Sequence, residues 1–183
     1  MLKRKQKLLN LILRTIVKPI SYINNNIYMK MSIKYLKYIG ITLNGIPCYI
    51  HPTVYFDGSD YSLIELGEGC SISKNVSFLT HDFSINTVYK GLNLKNEKEF
   101  DMQYKKNRLR TLKCIRVGAH TFIGMNAIIL PGSSIGDNCI IGGGTVVRGR
   151  IPDDSVVIGN PGIVIKKTSE WLEDKNFESE EFI

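Results

Sequence analysis

The sequence predicts an all-β core coiled from short parallel strands, with a helical segment before it, one long loop leaving it and a short tail behind it. Three observations carry this. Val117, Ile123, Ile129, Ile135, Ile141 and Val147 put an aliphatic residue at every sixth position, and Thr121, Ala127, Ser133, Cys139, Thr145 and Ile151 follow four places after each. Gly118, Gly124, Gly136 and Gly142 come directly after their aliphatic residue, where the chain must turn sharply. A period of six fits neither the 3.6 of a helix nor the simple alternation of a hairpin. It fits a solenoid with one hexad per side, whose aliphatic residues stack rung upon rung in a dry interior.

Residues 1–39 read as a basic amphipathic helical segment. Leu8, Leu9, Ile12, Leu13, Ile16, Val17 and Ile20 recur at helical spacing among Lys3, Arg4, Lys5, Lys7 and Arg14, and Pro19 marks a break or kink. Such a helix can pack on the side or end of a solenoid and shield its open strand edges. It can also rest on anionic lipid, and the two roles fit opposite faces. Residues 40–167 form the coil. Its first turn, about 40–61, is irregular, with Gly40, Gly45, Pro47, Pro52 and Gly58 among Ile46, Ile50, Val54 and Phe56, and His51 reads there as an exposed turn residue. Regular hexads run from Leu66 to Phe83 and stop.

Residues 84–114 then hold eight Lys or Arg, three acids and no hexad before Ile115 and Val117 resume the coil. Insertions of this kind leave a solenoid on one face and often build its binding site. Residues 168–183 form an acidic tail, with six acids against one Lys and with Trp171, Leu172 and Phe177 as docking points. A short packed helix and a loose end both remain open for it.

Charge and cysteines bound the function. The net charge of +7 belongs to the N-terminus, because residues 1–39 carry nine Lys or Arg and no acid while the remainder carries fifteen basic and seventeen acidic residues. No CxxC pair occurs among Cys48, Cys70, Cys114 and Cys139, so a disulfide or zinc framework is not expected and a reducing compartment is. Arg14 interrupts the first apolar run, which argues against a secretory signal, and no apolar stretch reaches the ~20 residues of a spanning helix. No basic and aromatic nucleic-acid module is recognisable.

The hexads, with Gly159-Asn160-Pro161-Gly162 after them, resemble the hexapeptide-repeat acyltransferases over residues 62–83 and 115–167. The resemblance implies a left-handed parallel β-helix with three hexads per turn, a homotrimer with active sites between subunits, and acetyl-CoA as co-substrate. It further implies that His81, which ends a hexad just before the loop, is the general base. One neutral imidazole can take a hydroxyl proton at cellular pH. Adjacent Asp82 either orients that imidazole or caps the turn. Some family members use a more distant carboxylate, and the sequence identifies none. Carried over residue by residue, the donor site falls on Gly124, Gly143 and Gly162, where a ligand must approach backbone closely, and on Lys166 and Lys167 beyond them. Each of these glycines also reads as a corner of the coil. Gly162 and Ile163 stand where the family has Ala and Lys; Gly162 can still present its N–H and C=O, and Lys166 can stand in for the missing lysine.

The nearest likeness is to bacterial capsule and lipopolysaccharide sugar O-acetyltransferases. The expected acceptor is therefore a sugar or sugar-phosphate hydroxyl, with amino-sugar N-acetylation or a non-catalytic binding scaffold as alternatives. The expected location is the cytoplasm, in peripheral contact with the anionic inner face of the membrane. His120 repeats the hexad position of His81. With only three His in the chain, a zinc site like that of the β-helical carbonic anhydrases is not expected, and His120 reads as a surface or cleft residue.

Overall fold

The computed structural model describes residues 15, 17–57, 60–82, 84–91 and 112–180. The sequence readings on residues 1–14 and 92–111 lie outside them. Residues 17–20 are helical and lead through a turn at 21–23 into α1 (Asn25–Ile39), which matches the break read at Pro19. Asn24 opens α1 by accepting a hydrogen bond from the Ile27 N–H at 3.1 Å, relieving one of the donors that a helix start leaves unpaired. Gly40 closes it with φ 105°, a left-handed conformation that suits glycine.

Strands then follow in threes. The first coil has β1 (Thr42–Asn44), β2 (Tyr49–Ile50) and β3 (Tyr55–Phe56), and the second β4 (Ile64–Gly67), β5 (Ser71–Ile72) and β6 (Ser77–Phe78). After the excursion, which begins with helix α2 (Ser84–Gly91), come β7 (Ile115–Val117), β8 (Phe122–Ile123) and β9 (Ile128–Ile129). The fourth coil has β10 (Ser134–Ile135), β11 (Ile140–Ile141) and β12 (Val146–Val147). The last holds β13 (Arg150–Ile151) and β14 (Ser155–Ile158); β15 (Ile163–Lys167) folds back antiparallel on β14, and α3 (Thr168–Glu180) follows.

Every third strand pairs in parallel, giving three faces. The first is β1-β4-β7-β10-β13, the second β2-β5-β8-β11-β14 with β15 at its edge, and the third β3-β6-β9-β12. Ile72 stacks under Ile123 and Ile141, and Phe78 under Ile129 and Val147, so the aliphatic sixth positions form continuous columns. All of these side chains are fully buried, as are Cys70, Ala127, Cys139 and Thr145 at the small inward positions. The irregular first turn joins the same ladders, because Tyr49 pairs with Ser71 and Tyr55 with Ser77.

α1 packs over this first coil. Leu36 and Ile39 enter the main core with Ile50, Val54 and Ile64, and the Tyr28 hydroxyl donates to the Ile50 carbonyl at 2.6 Å. The helix thus shields the end of the coil, as one of its two expected roles requires. His51 is half-buried rather than exposed, because its Nδ1 lies 2.9 Å from the Thr53 hydroxyl and its ring meets Tyr49 edge-on. The tail resolves into α3. Phe78→Ala removes a fully buried ring stacked 5.2 Å from Phe56. We expect a loss of about 3–5 kcal/mol in urea unfolding, with the m-value unchanged.

Candidate active site

His81 stands where the third face ends and the chain leaves the coil. One rung below, Asp57 stands at the matching exit of the first coil, since Phe56 pairs with Phe78 and the Asp57 N–H donates to the Phe78 carbonyl at 3.0 Å. This stacking puts the Asp57 carboxylate under Thr80 and His81. Its Oδ2 accepts from the Thr80 N–H at 3.1 Å, from the Thr80 hydroxyl at 2.7 Å, and pairs with His81 Nδ1. Thr80 is fully buried, the Asp57 side chain is 4% exposed and the His81 side chain 25%, so the pair is dry on the carboxylate side and open on the imidazole side. Burial alone would push the Asp57 carboxyl up, but the hydrogen bonds from the Thr80 hydroxyl and N–H, then from His81, outweigh it and hold Asp57 below the ordinary carboxylate range.

A carboxylate on Nδ1 fixes the ring and its tautomer. With the proton held on the Asp57 side, the basic lone pair is on Nε2. Asp57 is the carboxylate that meets His81 Nδ1, while Asp82 bonds into the turn that follows. Asp82 Oδ1 accepts from the Ser84 N–H at 2.9 Å and caps the turn into α2. The backbone and hydroxyl of Ser84, with a lesser contribution from the positive field of Arg148, hold the Asp82 carboxyl below its ordinary range. Asp57 was missed because its partner is 24 residues away and its coil is not written in regular hexads. One signal was present: Asp57 is the first acid in the sequence and directly follows Phe56, the counterpart of Phe78, Ile129 and Val147 on the third face.

The expected donor residues lie elsewhere on the coil. Gly124 is buried, and its N–H donates to the Ile141 carbonyl at 2.7 Å; a Cβ there would stand 2.6 Å from the Gly143 nitrogen. Gly162 donates to the Val146 carbonyl at 2.8 Å, and a Cβ there would stand 2.9 Å from Thr145 Cγ2. Both N–H groups are thus committed to the coil, and both positions are glycine because backbone meets backbone or side chain closely. Gly143 is exposed, beside Gly144, where nothing lies within 4 Å of an added Cβ. Beneath that turn the Thr145 hydroxyl is buried with no hydrogen-bond partner. Lys166 Nζ pairs with Asp174 of α3, and the Lys167 N–H donates to Glu170 Oε2 at 3.1 Å. The exposed glycine edge leaves room for a ligand to approach the backbone, but Lys166 and Lys167 pair with Val156 and Ser155 at the other end of the second face, on the Asn138–Asp154 corner with His120.

His81 and Gly143 are not brought together within one chain. They sit at the two corners that flank the third face, in the second and fourth coils. His120 is at the remaining corner, with φ 52°, its imidazole over Gly69, and it borders a groove of about 410 Å³ closed by Trp171 and Leu172 of α3. Among the described residues no three His, Cys, Asp or Glu side chains are grouped to hold a metal ion.

This architecture is the left-handed β-helix of hexapeptide repeats. Residues 115–149 match the family described as bacterial transferase hexapeptide (six repeats). Among curated proteins, an Escherichia coli protein assigned to lipopolysaccharide biosynthesis as an O-acetyl transferase is 39% identical over 61 residues, which cover 32% of this chain and 31% of that protein. A Mycobacterium tuberculosis protein assigned as an acetyltransferase is 44% identical over 52 residues, 28% of this chain and 17% of its own length. The chain thus spans about a third or less of these relatives. Among solved structures, a maltose O-acetyltransferase from Clostridium difficile superposes with TM-score 0.51 at 23% identity, over 87% of this chain and 88% of that one. A hexapeptide-repeat acetyltransferase of Vibrio cholerae complexed with acetyl coenzyme A gives TM-score 0.50 at 14% identity, over 86% and 84%.

The depressed carboxyl ties stability to pH. Asp57 contributes stability fully above the ordinary carboxylate pKa of about 4, and loses it as pH falls through its lower folded value. Asp57→Asn should therefore lower the melting temperature clearly at pH 7 and much less at pH 3, which differential scanning calorimetry at the two pH values measures.

Proposed function

We propose that this protein is an acetyl-CoA-dependent O-acetyltransferase that acts on a sugar hydroxyl in the building of a bacterial surface polysaccharide. The observation that supports it most is the buried Asp57 carboxylate on Nδ1 of a partly exposed His81, at the mouth of the long excursion. The names of the O-acetyl transferase relatives support the acetyl group and the sugar class.

In this reading His81 Nε2 takes the proton of the acceptor hydroxyl as its oxygen attacks, holds it, and delivers it to the leaving sulfur. Asp57 keeps the imidazole in the productive tautomer and steadies the imidazolium while the proton is held; Thr80 keeps Asp57 in place with two hydrogen bonds. Acetyl-CoA, when bound, supplies the thioester. Gly143 and Gly144 offer its arm an exposed backbone edge, while Lys166 and Lys167 lie across the second face from that edge and carry a donor role only through the family resemblance. Gly124 and Gly162 shape the coil beneath that edge.

A homotrimer completes the proposal. The base and the glycine edge flank one face, and Phe122, Met125, Ile158 and Ile163 stand exposed on the outside of the coil. A neighbouring copy packed there would bury these side chains and bring the two half-sites together. The cytoplasmic face of the membrane is the location we infer, supported by four free cysteines and the acid-free N-terminal segment.

Release of coenzyme A from acetyl-CoA over a panel of sugars tests the function. His81→Ala should lower turnover by about 10²–10⁴-fold. Asp57→Asn and Thr80→Val should lower kcat by at least about tenfold with little change in the acceptor KM, while Thr80→Ser retains most activity. Unchanged turnover in His81→Ala would leave the scaffold alternative standing. Product that keeps its acetyl group through mild alkali would be an amide and would favour the amino-sugar alternative.

A further inference from the structure

The outward side of α1 combines exposed apolar groups with charge of one sign. Tyr22 and Ile23, in the turn before the helix, are each 85% exposed. Ile27 and Tyr38 are half or more exposed on α1 itself, and Lys30, Lys34 and Lys37 stand exposed between them. On α1 itself, Ile27, Lys30, Lys34 and Tyr38 recur at spacings of three and four, so they share one face. The opposite face carries Tyr28, Met29, Ser32, Leu36 and Ile39, all buried, Leu36 and Ile39 in the core of the coil and Tyr28 and Met29 in a cluster with Val17. The Tyr28 hydroxyl on the Ile50 carbonyl fixes that orientation, so the exposed groups cannot rotate inward. No acid precedes Asp57 in the sequence, so nothing on this segment offsets its lysines.

We propose that this face is a docking surface for an anionic lipid bilayer, with Tyr22 and Ile23 entering the interface and Lys30, Lys34 and Lys37 lying against anionic headgroups. Both halves of the surface point to this partner. An acidic polymer would attract the lysines, but it would leave a protruding tyrosine and isoleucine in water. A bilayer interface accepts an aromatic ring and an aliphatic chain without shape complementarity, while its headgroups satisfy the lysines. The contact is peripheral in kind, since no described helix is long and apolar enough to cross a membrane.

The placement bears on the site. α1 packs on the first coil, to which Asp57 also belongs, so the docking face and the Asp57–His81 pair lie toward the same end of the solenoid. An acceptor borne on a lipid headgroup would be presented at that end; this consequence alone rests on the acetyl-transfer reading.

Co-sedimentation of the full chain with vesicles tests the surface without any enzyme assay. Vesicles of phosphatidylcholine with a third phosphatidylglycerol should retain the protein, and vesicles of phosphatidylcholine alone should not. The double variants Tyr22→Ser with Ile23→Ser, and Lys30→Glu with Lys34→Glu, should each weaken partitioning by about tenfold or more at an unchanged melting temperature. The proposal is overturned if the unaltered chain ignores anionic vesicles. It is overturned equally if the lysine variant loses binding while the Tyr22 and Ile23 variant keeps it, because that is attraction to bare charge. Acetyl transfer to a water-soluble acceptor should be unaffected in both variants, so its loss or absence bears on the activity and not on the surface.

Discussion

Parallel, in-register stacking of one rung on the next is the constraint on which the molecule depends. Each strand is two to five residues long and would not hold a shape alone; its backbone groups are satisfied only by the rungs above and below. The aliphatic columns set the register, since a slip by one residue would turn every buried side chain outward. The glycines follow from the same stacking. A Cβ at Gly67 would stand 2.4 Å from the Gly118 carbonyl carbon, so the corner cannot close over a larger residue.

The candidate active site is a product of that stacking. Asp57 and His81 belong to different coils and meet because both leave the third face at the same corner. Thr80 joins them through a buried hydroxyl and a backbone N–H, and these donors make a nearly dry carboxylate tolerable as an anion. The imidazole remains partly open on its other side. An orienting group kept from water and a reacting group at the edge of solvent are what proton transfer to and from an acceptor requires.

The ends of the coil are handled differently from its middle. At the first coil α1 covers the open rung with Leu36 and Ile39; at the last, β15 turns back antiparallel and α3 follows. Capping elements bury one face and present another, which frees their outer sides for contacts the repeats cannot make. For α1 that outer side is basic and apolar. For α3 the acids compete for the cations next to the coil exit, as Lys166 with Asp174 shows.

By itself the sequence determined the coil. The sixth-position aliphatics, the corner glycines and the break after Phe83 give the repeat, its interruption and His81, because a one-dimensional stack writes its packing directly into its period. A helix before the coil was expected too and is present as α1, but the spacing and charge that marked it, from Lys3 to Ile20, lie almost wholly outside the described residues. What only the tertiary structure decided was which residue holds His81, and which side of α1 faces out. Asp57 lies in a first turn whose loops stretch it beyond three hexads, so no period marks it, and adjacency in sequence pointed to Asp82 instead. Contact between coils is set by stacking across a chain-distant rung, and that distance is what periodicity cannot carry once a turn departs from the repeat.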